Sequence, residues 1–264
     1  MKAIILAAGK GERLKEITSV TPKPMIKIMG KPVLEYNINW LNRYGIKDIY
    51  INLHHLPDVI KDYFKDGSKW GLNITYSYEP ELIGTAGAVK KIVEEYWQLQ
   101  VNNISSSITY KKLDDSKKHN IKSTFLVIYG DNLFKYDLKK IIDFHNRKKG
   151  IATIVVYEKD DVSQSGIVSL DNNDKILKFI EKPKSEEIVS HLVNTGLYIL
   201  ESDVLNYIPS NKVVDFGKDV FPKMIQKGEN MFGVIVKDNL MAIDTPELLK
   251  EALRITKKMK RRMK

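Results

Sequence analysis

Apolar runs of strand length alternate with amphipathic segments through most of this chain. Residues 3–7, Asp48–Leu53, Asn73–Tyr78 and Thr124–Tyr129 each read as a short strand bounded by polar or turn-forming residues. The stretches between them have a helical period. Over 32–44, Val33, Tyr36, Ile38, Trp40 and Leu41 recur at helical spacing, and Gly45 supplies a C-terminal cap. Residues 58–65 end similarly near Gly67, and further helices are expected over 85–97 and 138–149, the second closed by Gly150. Strand and helix in repetition predict an α/β chain with a mostly parallel sheet covered on both faces. In such sheets ligands bind beyond the carboxyl ends of the strands.

After Gly150 the pattern changes. Residues 151–157 and Gly166–Leu170 read as strands, and the Asp171-Asn172-Asn173-Asp174 cluster reads as a turn into a strand over 176–180, which makes a flanking β-hairpin. A core strand over 192–200, short helices at 202–207 and 218–226, a strand over 232–236 and a last helix from 246 complete the pattern. Residues 98–122 are rich in Ser, Asn, Lys and Asp without apolar periodicity, and read as an inserted surface loop.

Composition narrows the classes. The 264 residues suit one large α/β unit, and the absence of cysteine excludes a thiol nucleophile, a thiolate zinc site and an iron–sulfur cluster. No run approaches the ~18 apolar residues of a membrane span. The opening apolar stretch is too short for a signal-peptide core and runs into Lys10, Glu12 and Arg13, so a cytoplasmic protein is expected. Lys plus Arg number 43 against 33 acids, a net charge of +10, which favours anionic partners. Seven of the 43 basic residues fall in the last eleven positions, where they suit the C-terminal end of a helix. Nothing there resembles the aromatic-interleaved platform on which nucleic-acid strands stack, so nucleic acid is not an expected partner.

The chemistry-bearing residues gather at predicted strand ends. In Leu6-Ala7-Ala8-Gly9-Lys10-Gly11-Glu12-Arg13, small residues let backbone N–H groups approach an oxyanion, and Arg13 with Lys23 of Thr21-Pro22-Lys23-Pro24 can supply cations for phosphate. A third dinucleotide-fingerprint glycine is missing, since Leu14 stands there, and no Walker Gly-Lys-Ser/Thr is present. Asp131 follows the strand Thr124–Tyr129, where a hard cation could be held. Asp244 follows another short apolar run and reads either as a second such ligand or as the N-cap of the last helix. His54 and His55 are adjacent on a strand end, point to opposite faces and so do not chelate; they read as structural.

These motifs, in this order, resemble the signature of the sugar-1-phosphate nucleotidyltransferases, over residues 1 to about 246. The resemblance implies a Rossmann-like single unit over 1–264. Residues 1–150 would form its nucleotide-binding part, 151–245 its sugar-phosphate part, with the hairpin as one wall of the sugar site, and 246–264 a basic C-terminal helix. It implies nucleotide binding by Leu6, Ala8, Gly9, Gly11, Glu79, Gly84, Thr85 and Gly87, with catalytic roles for Arg13, Lys23 and Lys182. Asn132, Gly166, Glu181, Asn194 and Thr195 would meet the sugar, and Asp131 with Asp244 would share magnesium, Mg2+. Around Asp244 the chain departs from the family, where an aromatic residue and a glycine often stand, because Thr245 follows directly.

The implied reaction joins a nucleoside triphosphate and a sugar 1-phosphate, giving a nucleotide sugar and pyrophosphate. The 84–87 segment and the run Phe216-Gly217-Lys218-Asp219-Val220-Phe221-Pro222 most resemble guanylyltransferases acting on mannose or heptose 1-phosphate. Thymidylyl or uridylyl transfer to a hexose 1-phosphate, and a non-catalytic nucleotide-sugar-binding regulator, stay open, as does assembly into a homo-oligomer. A β-helix or acyltransferase extension, which some relatives carry, is not expected.

Overall fold

The computed structural model describes residues 1–97, 123–210, 212–237, 241–243 and 245–262; the loop expected over 98–122 and Asp244 lie outside them. In chain order, β1 (Lys2–Leu6) leads through a single turn, α1 (Lys15–Thr18), and a ribbon of β2 (Lys27–Ile28) and β3 (Lys31–Pro32) to α2 (Val33–Arg43). Next come β4 (Asp48–Leu53) and α3 (Pro57–Phe64), then β5 (Asn73–Tyr78) and α4 (Gly84–Ile92). After them β6 (Thr124–Tyr129), the short β7 (Asn132–Leu133) and α5 (Leu138–Lys148) close the first part. The second part holds β8 (Ala152–Glu158), the hairpin β9 (Gly166–Leu170) and β10 (Ile176–Glu181), and the long β11 (Leu192–Glu201). It ends with α6 (Phe221–Gln226), β12 (Met231–Val236), β13 (Met241–Ala242) and α7 (Pro246–Arg262).

Strands β5, β4, β1 and β6 lie side by side and parallel. Beyond β6 the sheet takes in β11 running the opposite way, then β8 antiparallel to β11, and β12 parallel to β8. The β9–β10 hairpin hangs from the start of β11 through the pairing of Val193 with Ile167. Asp171 builds its turn by accepting from the backbone N–H groups of Asn173 and Lys175, 2.8 Å each.

Alternation decides what each face buries. In β1, Ala3 and Ile5 join one core cluster while Ile4 joins the other, and in β6 Leu126 and Ile128 face opposite to Phe125 and Val127. Leu34, Ile38 and Leu41 of α2, Phe64 of α3 and Ile141 of α5 cover the first face. Ala86, Val89 and Ile92 of α4, with Phe221 and Met224 of α6, cover the second. Each fully buried Ile, Leu or Phe contributes ~1.5–3 kcal/mol, so a strand buried on both sides has no tolerance for a one-residue slip.

Several local expectations are corrected. The left-handed cap of α5 is Lys149, at φ +52°, and not Gly150. Gly150 is needed for another reason: a Cβ there would lie 2.5 Å from the Asn230 carbonyl oxygen. The helix expected to run to residue 97 finishes in a wider π turn, Val93–Trp97. Ser202–Tyr207 is a 3₁₀ segment, and the helix expected from 218 begins earlier as a π turn, Phe216–Val220. Strand β1 stops at Leu6 because the Ala7 N–H leaves the ladder for the Asn52 side chain. Among the described residues no helix is long and apolar enough to cross a membrane.

Candidate functional site

At the carboxyl edge of the parallel strands opens a cavity of about 1210 Å³. Two groups of residues line it: Arg13, Lys23, Asp131 and Asn132 from the loops after β1 and β6, and Gly166, Glu181, Lys182, Asn194 and Thr195 from the hairpin and the start of β11; the expected nucleotide-binding residues Leu6, Ala8, Gly9, Gly11, Glu79, Gly84, Thr85 and Gly87 are not among its lining. Because β11 is antiparallel, with Leu197 opposite Ile128, its first residues project past the end of β6. This reversed strand therefore brings Asn194 and Thr195 to the Asp131 turn, where Asn132 Nδ2 donates to the Thr195 carbonyl.

The glycine turn after β1 is locked from below. Gly11 has φ +65°, and its carbonyl accepts from the Leu14 N–H and from the Thr18 hydroxyl. A Cβ at Gly11 would come within 2.7 Å of the Thr18 methyl and 3.3 Å of Lys23 Cβ, so glycine is what lets the turn lie against the Lys23 segment. Gly9 is exposed, with open space where a Cβ would stand. Lys23, buried to 6 % exposure, extends to Asp131 with Nζ 2.5 Å from Oδ2. The turn bearing Asp131 is held in place by Asn37 of α2, whose Nδ2 donates to the carbonyls of Gly130 and Asn132.

The turn after β5 is held from both ends. Glu79 is 2 % exposed; its Oε1 accepts from Asn52 Nδ2 and its Oε2 from the Ile83 N–H. Burial pushes the Glu79 carboxyl above its ordinary value, and the Asn52 and Ile83 hydrogen bonds oppose that shift. Gly84, at φ +79°, lies so close to Val214 that a Cβ would meet the Val214 carbonyl oxygen. The N–H groups of Ala86 and Gly87 donate to that same carbonyl, and Thr85 gives its N–H and hydroxyl to Asp215. The missing Cβ of Gly84 is thus used for backbone packing, a role its sequence context did not reveal.

The other wall is built on an irregularity. Pairing of β11 with β8 jumps between Asn194 and Tyr198, leaving Thr195-Gly196-Leu197 as a bulge. Gly196, at φ +74°, fits under the Tyr129 ring, and its N–H donates to Asn194 Oδ1. Thr195 is wholly buried: its hydroxyl donates to the Val155 carbonyl, and its own carbonyl accepts from Asn132 Nδ2. Glu181 ends β10 with its carboxylate between Gly166 and Gly217, where a Cβ would lie 2.7 and 2.8 Å from Oε2. Burial raises the Glu181 carboxyl, while Lys182 and Lys218 lower it and Asp215 adds to the rise. Lys182 is exposed at φ +50°, with its N–H on the Ser165 carbonyl.

Tyr129 and Tyr198 are additions to the site that sequence reasoning missed. Tyr198 Oη accepts from Asn194 Nδ2 at 2.8 Å and reaches Tyr129 Oη at 3.4 Å. Burial pushes Tyr129 up to about 12, so both phenols stay protonated and act as hydrogen-bond groups. The Phe216–Val220 turn and Phe221 place two of their aromatic rings against Tyr198, at 5.6 and 5.1 Å, beneath this wall.

Asp131, a quarter exposed, turns its carboxylate to the cavity beside Lys23, which suits an ion needing one or two carboxylates. Pairing of β13 with β7 sets Ala242 opposite Asn132, bringing the chain before position 244 to the same corner. Among the described residues no group of three or more acidic or histidine side chains converges. At the start of α7 the Thr245 hydroxyl accepts from the Leu248 N–H, and Asp244 itself lies outside the described residues.

Known proteins resemble this chain over most of its length. A UTP–glucose-1-phosphate uridylyltransferase from Synechocystis sp. is 39% identical over 245 residues, covering 89% of this chain and 58% of its own. The mannose-1-phosphate guanyltransferase of Saccharomyces cerevisiae is 33% identical over 230 residues, covering 86% of this chain and 57% of its own. This chain therefore spans under two thirds of these relatives' length. HddC from Yersinia pseudotuberculosis, solved with GMP-PN, matches with a TM-score of 0.73 and 26% identity over 97% of this chain and 99% of its own. A Bacillus anthracis structure solved with sucrose shares the fold, with a TM-score of 0.76 and 24% identity over 97% of this chain and 94% of its own. A nucleotidyl transferase family model matches residues 2–245, from the first strand to the cap of the last helix, and the chain belongs to that family.

Proposed function

We propose that this protein transfers a nucleotidyl group from a nucleoside triphosphate to a sugar 1-phosphate, releasing pyrophosphate. The observation that carries the reading is one cavity lined by Arg13, Lys23 and Asp131 on one wall and by Lys182 and Glu181 on the other. Two anionic reactants need such a cleft, with cations on both sides and a sugar-sized polar wall.

An oxygen of the sugar phosphate attacks the α-phosphorus in line. The new P–O bond forms as the α–β P–O bond breaks, and its electron pair leaves with pyrophosphate. A phosphate monoester is a sufficient nucleophile near neutral pH, so no general base is required, and catalysis is positioning and charge neutralisation. Lys182 holds the attacking phosphate, and Arg13 and Lys23 hold the triphosphate. Leu6, Ala8, Gly9 and Gly11, with the 79–87 turn, bound the nucleotide, while Glu181 and Asn194 meet sugar hydroxyls beside Gly166; the buried Thr195 and Asn132, hydrogen-bonded to each other, support that wall instead. Magnesium held by Asp131 and Asp244 would supply further neutralisation of phosphate charge.

For the base, guanylyl transfer to mannose or heptose 1-phosphate is the first reading, supported by the yeast relative's activity and by HddC with GMP-PN. The Synechocystis relative supports a second, uridylyl transfer to glucose 1-phosphate. A panel of nucleoside triphosphates crossed with sugar 1-phosphates, read by pyrophosphate release, tests both. Release that requires one base and one sugar supports transfer; nucleotide binding without release favours a regulator.

A further inference from the structure

Asn52 is a buried polar residue for which the proposed reaction has no use. It interrupts the apolar strand β4 at 4 % exposure, where an unpaired amide would be costly. Its Oδ1 accepts from the Ala7 N–H at 2.7 Å, which fixes the amide's orientation, so Nδ2 must be the atom that donates to Glu79 Oε1 at 2.8 Å. Glu79 passes the constraint on to the Ile83 N–H. The next residues repeat the pattern: His54 Nδ1 lies 2.8 Å from the Glu79 carbonyl, and His55 Nε2 lies 2.7 Å from the carbonyl of Thr18. The Thr18 hydroxyl in turn holds the Gly11 carbonyl. One stretch, 52–55, therefore touches the strand end before the glycine turn, the segment locking that turn, and the turn before α4.

Resting on the nucleotidyl-transfer reading, we propose that Asn52 is a positioning residue for the nucleoside triphosphate. With Glu79 it couples the opening glycine turn to the 79–87 turn so that the two are held in one fixed relation. Glu79 then acts through Asn52 and Ile83 and does not itself touch the base.

The test reverses the polarity of the Asn52–Glu79 bond. Asn52→Asp sets two carboxylates face to face, and Glu79→Gln forces a donor against a donor. Together they restore every contact in the opposite sense: the new carboxylate accepts from Ala7 and from the new amide, whose carbonyl accepts from Ile83. Affinity of the whole chain for GTP, UTP, dTTP, ATP and CTP is measured by calorimetry, beside KM for the sugar 1-phosphate and the melting temperature. Each single change is expected to weaken binding of the preferred nucleotide roughly 10- to 100-fold. The double variant should return to within about 3-fold of wild type, with the sugar-phosphate KM moved less than about 2-fold throughout.

A double variant no better than the weaker single would overturn the proposal, as would a sugar-phosphate KM rising in step with nucleotide loss and falling melting temperature. A wild type that binds nucleotide without releasing pyrophosphate contradicts the transfer reading, and the affinity cycle still judges Asn52. A wild type that binds none of the five contradicts both.

Discussion

The two walls of the cleft are built by different means. On the side proposed for the nucleotide, the loops after β1 and β5 are clasped through backbone: Gly84 lies against Val214, Gly11 against Thr18 and Lys23, and Ala7, Ala86 and Gly87 give their N–H groups to fixed acceptors. On the side proposed for the sugar phosphate, the wall is a bulge in β11 and a hairpin end, and the groups offered are side chains such as Glu181, Asn194 and Lys182. A parallel sheet with crossover helices supplies rigid loop anchors. An appended hairpin supplies side chains that can change without disturbing the core. Substitutions on the first wall should therefore injure the fold along with binding, and those on the second should injure binding alone.

The largest effect is expected at the ion pair on the first wall. Lys23→Ala and Asp131→Ala each break the 2.5 Å pair and remove a charge from the phosphate region, and each should lower turnover ~10²- to 10³-fold in a pyrophosphate-release assay. Either variant keeping more than about a tenth of wild-type turnover would detach that residue from the chemistry.

Gly84→Ala comes next. Its Cβ would have to sit at φ +79° against the Val214 carbonyl, so strain and overpacking together should cost ~2–6 kcal/mol, and the melting temperature should drop by at least ~5 °C. Gly166→Ala supplies the contrast. Its Cβ meets the Glu181 carboxylate at 2.7 Å and the Phe179 ring tip at 2.8 Å, so the sugar-phosphate KM should rise roughly tenfold with nucleotide affinity intact. Equal losses of melting temperature in the two alanine variants would erase the proposed difference between the walls.

The smallest effect concerns pH. Burial raises the Glu181 carboxyl, so the folded protein holds a proton that the unfolded chain has already released, and stability falls as pH rises from the ordinary glutamate value through the raised one. Glu181→Gln removes that loss. Its melting temperature should exceed wild type by roughly 1–3 °C at about pH 8 and match it at about pH 4, while the sugar-phosphate KM worsens. A gain of the same size at both pH values would mean that titration of Glu181 is not the cause.

Much of the fold was legible because the periodicities are clean. Asp48–Leu53, Asn73–Tyr78, Thr124–Tyr129 and Gly166–Leu170 are strands over the expected residues, and the Asp171–Asp174 turn makes the expected hairpin. What the pattern could not reveal depends on partners distant in the chain. The cap at Lys149, the packing reason for Gly150, the Thr85–Asp215 clasp and the Tyr129–Tyr198 pair all rest on contacts that local spacing does not encode. Two signals were present and open to use. A lone Asn52 in an apolar strand asks for buried partners, and Thr245 directly before Pro246 is itself a candidate helix cap. The Lys23–Asp131 pair, 108 residues apart, joins two motifs that were visible only separately.

The most direct measurement of the central claim is pyrophosphate released from a nucleoside triphosphate with and without added sugar 1-phosphate. Release that depends on the sugar phosphate and is abolished by Lys182→Ala is the predicted result. Release that proceeds equally without the sugar phosphate, or survives Lys182→Ala undiminished, would contradict a cleft built to bring two anionic reactants together.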